Sequence, residues 1–353
     1  SRPRSDKNHM LMLLFEGATV DYVFQLGLFA GKAFLIVAAI IVVLIAISAV
    51  LYRMKSQHNL EIEILNEKYA DFSNLIKQNV FSKEELKTEK KQLKKNKKND
   101  STKPRAFVVD FEGDIRASNV SSLREEITSI LKIAKKEDQV VIRLESPGGM
   151  VHGYGLAASQ LKRVREHGIQ LIACVDKVAA SGGYLMACTA DKILAAPFAI
   201  VGSIGVIAQV PNFNRLLKKH DIDYQEITSG EFKRTISILG EITPAGRQKF
   251  QDEVIDTHRL FKEFVGQSRP QLEINRIGTG EHWFGIRALD LNLIDEITTS
   301  DEYLMGLLDT HQVIRISYEA KKKFSEKIAS AFSLAITKTL DRGFNAIENS
   351  RYF

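Results

Sequence analysis

Apolar and polar positions divide the chain into stretches of different texture. Residues 33–52 read AFLIVAAIIVVLIAISAVLY, without charge, proline or glycine, between Lys32 and Arg53. At 1.5 Å rise per residue, about 20 such residues match a hydrocarbon core of roughly 30 Å, so the pattern predicts a transmembrane helix. A soluble helix of that length would carry a polar face. A cleaved signal peptide would be shorter and would end in a small-x-small site. Residues 58–80 place Ile62, Leu65, Tyr69, Phe72 and Ile76 at three-four spacing, which predicts a helix with a short coiled-coil-like seam. Residues 83–103, KEELKTEKKQLKKNKKNDSTK, lack that period and read as a solvated linker or as a basic surface for anionic headgroups. Pro104 marks its end.

From Arg105 onward the texture changes again. AFVVDFEG is an apolar strand run, 123–136 has helical periodicity, and QVVIRLES is a strand closed by Pro147-Gly148-Gly149. Residues 154–166 read as a helix, IQLIACVD as a strand, and 181–190 as a small, buried helix. DKILAAP and IVGSIGVIAQV give further short strands. The run 193–210 is apolar enough to suggest a second span, but Asp191 and Lys192 flank it and Pro197, Gly202 and Gly205 interrupt it, which fits two buried strands. Alternating strands and helices predict an α/β domain.

Composition adds little to that picture. A hydrophobic fraction of 44% and a charged fraction of 26% suit a largely globular chain of 353 residues. The net charge of +6 is concentrated in the Lys-rich stretch, so it argues for no nucleic-acid partner. Cys174 and Cys188 sit in apolar runs, without CxxC or Cys/His spacing, and read as buried free thiols rather than metal ligands. Residues 1–9 are polar and read as a tag remnant or an upstream extension, outside the fold. Arg53, Lys55 and Lys68 follow the span while Lys32 precedes it. The positive-inside rule thus favours the cytoplasm for the C-terminal side by a small margin, and the side of the catalytic domain stays open.

The candidate chemistry lies in three glycine-rich turns: Ser146-Pro147-Gly148-Gly149, Ser181-Gly182-Gly183 and Gly202-Ser203-Ile204-Gly205. Glycine after a strand lets backbone amides approach a ligand, and none of the turns matches a nucleotide fingerprint. Ser181 falls between an apolar strand and an apolar helix, where an N-cap serine and a nucleophile read alike. No GxSxG elbow supports a Ser-His-Asp triad; His152 is the histidine nearest a glycine turn. A lysine base must be neutral, and only about 0.04% of an ordinary lysine is neutral at pH 7. Burial would have to lower its pKa by roughly 3 units. Lys233, in SGEFKRTISILGE, has apolar neighbours; from composition alone it reads as readily as a surface lysine.

The series SPGGMVHGYGLAASQL, DKVAASGGYLMA, VGSIGV and SGEFKRT resembles the signal peptide peptidase A family of Ser–Lys peptidases, and within it the SohB branch of bacterial inner-membrane proteases. The resemblance spans nearly the whole chain, with one copy of each motif and no tandem duplication. It implies a ClpP/crotonase-like α/β fold of repeated strand-strand-helix units behind an N-terminal transmembrane helix. The implied organisation is an N-terminal segment (1–32), the span (33–52), a helical and Lys-rich linker (53–104), the peptidase domain (105–312) and a C-terminal helical tail (313–353), with Phe324, Ile328, Phe332 and Ala335 at apolar spacing. Carried over residue by residue, the nucleophile falls on Ser181 and the general base on Lys233. The lysine-orienting hydroxyl falls on Ser203, and the oxyanion hole on the backbone of Gly148, Gly149 and Gly182. The expected activity is hydrolysis of membrane-associated, signal-peptide-like or unfolded polypeptides at the bacterial inner membrane, with no metal and no cofactor. The expected partners are the peptide substrate, the bilayer and further copies of the chain, in rings that can complete the dyad across subunits. Two rivals are a crotonase-like acyl-thioester enzyme and a non-catalytic membrane scaffold.

Overall fold

The computed structural model describes residues 29, 31–32, 34–45, 59–82, 84–86 and 103–319. The chain divides into two compact units, residues 1–59 and 60–353. In the first, residues 34–45 are helical and almost wholly exposed. Residue 33 and residues 46–52 of the expected span lie outside the described residues, as do most of the Lys-rich stretch and the tail with Phe324, Ile328, Phe332 and Ala335. Among the described residues, no helix is long and apolar enough to cross a membrane.

The second unit opens with β1 (Leu60–Ile64) and α1 (Leu65–Val80), before the Lys-rich stretch. After it come β2 (Arg105–Glu112), α2 (Val120–Leu131), β3 (Gln139–Glu145), α3 (Val151–Glu166), β4 (Gln170–Val175), β5 (Val178–Ala180), α4 (Gly182–Ala187), β6 (Lys192–Ala195) and β7 (Ile200–Gly202). The chain continues through α5 (Asn214–Lys219), α6 (Pro244–Ser268), α7 (Ile274–Ile277), β8 (His282–Phe284), α8 (Gly285–Asp290), β9 (Glu296–Ile297), α9 (Ser300–Leu308) and β10 (Gln312–Tyr318).

The strands form two sheets. The larger has the order β1-β10-β2-β3-β4-β6-β9 and is parallel except for β1; the smaller has the order β5-β7-β8. β2 is buried on both faces, and its alternation assigns them. Phe107, Val109 and Phe111 join one core with Leu123, Ile127, Tyr154 and Leu161, while Ala106 and Val108 join another with Leu65, Leu304 and Leu307. Both faces of the parallel sheet are therefore covered by helices, which is why its strands read as nearly continuous apolar runs. Burial of each large side chain contributes about 1.5–3 kcal/mol. Cys174 and Cys188 are buried and unpaired, and desolvation pushes both thiols up to about 12.

The expected strand-strand-helix unit is seen at β4–β5–α4, where β4 lies in the large sheet and β5 in the small one. β6 and β7 repeat the step, and Ser146 extends β3 towards the small sheet through a bridge to Ala179. This architecture puts the ends of β3, β5 and β7 together.

Three expectations change. Residues 58–80 are not one helix: the LEIEI segment is β1, paired antiparallel with β10 from Leu60↔Tyr318 to Ile64↔Ile314. Sheet edge pairing outweighs helical spacing there. β10 also runs through the expected boundary at residue 312, so the catalytic sheet takes in residues from both the expected linker and the expected tail. The expected helix at 181–190 is shorter, Gly182–Ala187.

Polar groups hold β10 in the sheet. Burial pushes Asp110 up, but ion pairs with Arg143 at 2.5 Å and Arg315 at 2.7 Å hold its carboxyl below the usual range. Glu126 on α2 is buried and accepts the Tyr318 N–H at 2.7 Å; desolvation raises its carboxyl to about 7.

Candidate active site

β5 and β7 run parallel and end in register, Ala180 beside Gly202. The next residue on each strand is a serine, and Ser181 and Ser203 share an unusual backbone, with φ of 52° and 51°. Non-glycine residues seldom adopt this region, and the cost of such strain is of order 1–3 kcal/mol. The pairing of the strands holds it: the Ser181 N–H donates to the Gly202 carbonyl at 2.8 Å, and the Ser203 N–H donates to the Glu281 carbonyl at 2.6 Å. Ser181 is half-buried at the start of α4, and Leu185 N–H donates back to its carbonyl at 2.9 Å.

The turn after β3 packs directly on this serine. Gly148 has φ of 93°, and a Cβ built on it would lie 2.7 Å from Ser181 Cβ and 2.8 Å from the Gly182 nitrogen. Only glycine permits both the backbone and the approach. The amides of the turn are almost all taken. Ser146 N–H donates to Val178 at 2.8 Å, Gly148 N–H to Ser146 Oγ at 3.1 Å, and Met150 N–H to Ile115 at 2.8 Å. Pro147 has no N–H. Among the described residues the Gly149 N–H finds no acceptor, and neither does that of Gly182. The Gly149 and Gly182 amides are thus unengaged among the described residues, one in the turn that packs on Ser181 and one directly after it in the chain. The expected third donor, Gly148, is engaged within the protein; its place in the site is one of close packing.

Lys233 is placed differently. Its N–H donates to the Gly230 carbonyl at 3.2 Å in an exposed turn. No hydrogen bond joins it to Ser181 or Ser203 within the chain, and among the described residues its ammonium has no ion pair. The expected burial of this lysine is not met in a single chain, because its segment buries almost nothing. Among residues 206–241 only Ser237 is buried, while Ile207 and Ile227 are 78% and 95% exposed. The segment is nevertheless ordered by polar contacts: Glu226 pairs with Arg234 at 2.7 Å and accepts from Ser237 Oγ at 3.0 Å, and Asn212 Nδ2 donates to the Ser237 and Gly240 carbonyls. His258 of α6 reaches the Ile204 carbonyl at 3.1 Å, which ties that helix to the Ser203 turn. His152 is exposed on α3. Among the described residues no cluster of His, Cys, Asp or Glu is arranged to hold a metal ion.

Two residues beneath the turn escaped the sequence analysis. Ser146 and Tyr154 are fully buried, and their hydroxyls lie 2.6 Å apart. Ser146 was visible only as the first residue of a glycine turn, and Tyr154 only as the first residue of an expected helix.

Comparison with known proteins bears on most of residues 21–313. The family model described as Peptidase family S49 N-terminal matches residues 21–161, and that described as Peptidase family S49 matches residues 163–313. The "Probable protease SohB" of Haemophilus influenzae is 52% identical over 293 residues, covering 77% of this chain and 83% of the relative. That of Buchnera aphidicola subsp. Acyrthosiphon pisum is 51% identical over 248 residues, covering 70% and 72%. Among solved structures, the 1510-N membrane-bound stomatin-specific protease with a substrate peptide matches 65% of this chain and 98% of its own, at 15% identity and a TM-score of 0.39.

Proposed function

Because this chain belongs to peptidase family S49, we propose that it hydrolyses peptide bonds through an acyl-enzyme on Ser181, with Lys233 as general base. The observation that carries this reading is the pair of unengaged amides, Gly149 in the turn that packs on Ser181 and Gly182 just after it, with the serine itself held at a strained φ of 52°. A nucleophile needs donors aimed at the oxyanion it creates, and each such donor contributes about 3 kcal/mol in a comparable site.

Neutral Lys233 takes the Ser181 proton as Oγ attacks the peptide carbonyl. The two amides hold the oxyanion, and the protonated lysine passes its proton to the leaving amine. Water, deprotonated by the same lysine, then releases the acyl group. Ser203, one residue beyond the strand partner of Ala180, orients the amine. No metal or cofactor enters these steps.

A lysine exposed in one chain is poorly suited to be a neutral base. A second copy covering segment 206–241 would desolvate it and carry it to a neighbour's Ser181, so the reading includes a homo-oligomer. Attachment to a bacterial inner membrane through residues 33–52, and cleavage of signal-peptide-like or unfolded polypeptides there, belong to the same reading. Their support is the uncharged sequence of that segment and its helical portion, 34–45.

The test is treatment of the full chain with a serine-directed acylating probe, with mass-spectrometric mapping of the adduct. The expected adduct is on Ser181. A chain that cleaves peptides while Ser181 stays unmodified would overturn the assignment. A crotonase-like acyl-thioester enzyme would instead act on a thioester with Ser181→Ala as active as the wild type.

A further inference from the structure

The oxyanion turn is set from below by hydroxyls that the mechanism does not otherwise use. Tyr154 Oη donates to the Asp114 carbonyl at 2.8 Å, and that carbonyl can only accept. A phenol has one proton, so in the 2.6 Å contact with Ser146 the serine must be the donor. Ser146 Oγ, its own proton committed, accepts the Gly148 N–H at 3.1 Å. The order is therefore fixed in one direction: Gly148 N–H to Ser146, Ser146 to Tyr154, Tyr154 to Asp114. Burial pushes the Tyr154 phenol above its ordinary pKa, so it keeps its proton.

The same tyrosine also touches the other half of the site. A Cβ built on Gly182 would lie 2.4 Å from Tyr154 Cγ, so the ring lies directly against the second free amide. The Ser146 carbonyl similarly stands 2.6 Å from a Cβ built on Gly183. The loop that receives the Tyr154 proton is tied to the turn a second time, through Met150 N–H and the Ile115 carbonyl.

We propose that Ser146 and Tyr154 are positioning residues of the oxyanion hole: their hydrogen-bond chain draws the Gly148 amide inward and leaves Gly149 as the free donor, while the Tyr154 ring sets the spacing from Gly149 to Gly182. The inference rests on the acyl-enzyme reading of Ser181. Without the chain, the Gly148 amide loses its internal acceptor, the Pro147–Gly148 peptide is free to rotate, and the Gly149 amide that follows loses its fixed direction. An oxyanion donor misplaced by a fraction of an ångström loses most of its effect in the transition state and little in substrate binding.

The test uses the full-length protein and three variants: Tyr154→Phe, Ser146→Ala and the double. Active sites are counted with the acylating probe, and kcat and KM are measured on one peptide. A peptide aldehyde, whose adduct with serine places an oxyanion in the hole, gives Ki. We expect kcat to fall roughly 10- to 100-fold in each single variant with KM within about twofold, and the aldehyde Ki to rise in step. The double variant should be no worse than the poorer single one, since one chain is broken either way. A folded variant with kcat within twofold of the wild type, or a loss confined to Tm with kcat per labelled site unchanged, overturns the proposal. Should Tyr154→Phe fail to fold, Ser146→Ala is read by the same criteria. Failure of the underlying reading looks different: the wild type itself would not be labelled on Ser181.

Discussion

Ile204 is fully buried, and Ile207, three residues later, is 78% exposed. The two halves of the proposed dyad fall on opposite sides of that boundary. On the Ser181 side, strand pairing, a close-packed glycine turn and buried hydroxyls fix the backbone to within hydrogen-bond tolerance. On the Lys233 side, a segment with exposed isoleucines is held by surface polar contacts and leaves its apolar groups in water. Monomeric surfaces seldom expose apolar side chains so densely, and such patches mark interaction sites. One half of the site is finished by the chain itself; the other leaves apolar side chains such as Ile207 and Ile227 exposed.

The largest expected effects separate those halves. Ser181→Ala and Lys233→Arg should each lower kcat by at least ~1000-fold, the second because a guanidinium keeps its proton. Co-assembly of Ser181→Ala chains with Lys233→Ala chains then decides where the base comes from. Recovery of up to about a quarter of the wild-type rate is expected if the lysine acts on a neighbour under random mixing. No recovery would mean that both residues act within one chain, and the contrast drawn above would lose its functional sense.

Somewhat smaller is the effect of charging the exposed wall. Ile227→Asp combined with Phe232→Asp should lower activity by about tenfold or more through dissociation. Because both side chains are exposed, the fold itself should change by about 0.5 kcal/mol or less per site. Sedimentation and a melting curve on one sample distinguish the two. Smaller again, Ser203→Ala should cost about 3- to 10-fold in kcat, since it removes an orienting hydroxyl and leaves the base. A loss as large as that of Lys233→Arg would make Ser203 a reacting group.

The smallest effect touches neither half and serves as a control on the framework. Folding raises the Glu126 carboxyl to about 7, chiefly by desolvation. A raised carboxyl favours the folded state while protonated, so its contribution is complete below about pH 4.5 and is lost as pH rises through about 7. Glu126→Gln should therefore match the wild type at pH 4 and exceed it by about 1–3 kcal/mol at pH 8, as read from denaturant unfolding across that range. Equal pH dependence in both proteins would refute the assignment.

Much of this was legible in the chain. The apolar runs at AFVVDFEG, QVVIRLES and IQLIACVD became β2, β3 and β4, because a sheet covered on both faces leaves an unmistakable pattern. Ser181, Gly149 and Gly182 were marked by glycine turns and a family resemblance, and the turn that carries Gly148 packs against Ser181 and Gly182. β1 was misread because Ile62, Leu65 and Tyr69 satisfy helical spacing while the pairing that makes Leu60–Ile64 a strand lies more than 240 residues away, at β10. Tyr154 was hidden because its hydroxyl partner, the Asp114 carbonyl, has no side-chain signature. Lys233 could be marked by motif, but within this chain it stands in an exposed turn.

The antiparallel pairing of β1 with β10 also changes what the Lys-rich stretch is. Both of its flanks, α1 and β2, belong to the same sheet-bearing unit, so the stretch is an excursion from that unit and not the strap that joins it to residues 33–52. That strap is residues 53–59, which reach at most about 25 Å when fully extended. A single cut by trypsin within residues 87–98 would leave two fragments that part in detergent under denaturing conditions yet stay together when native. Shedding of the catalytic unit would require a cut upstream of Leu60.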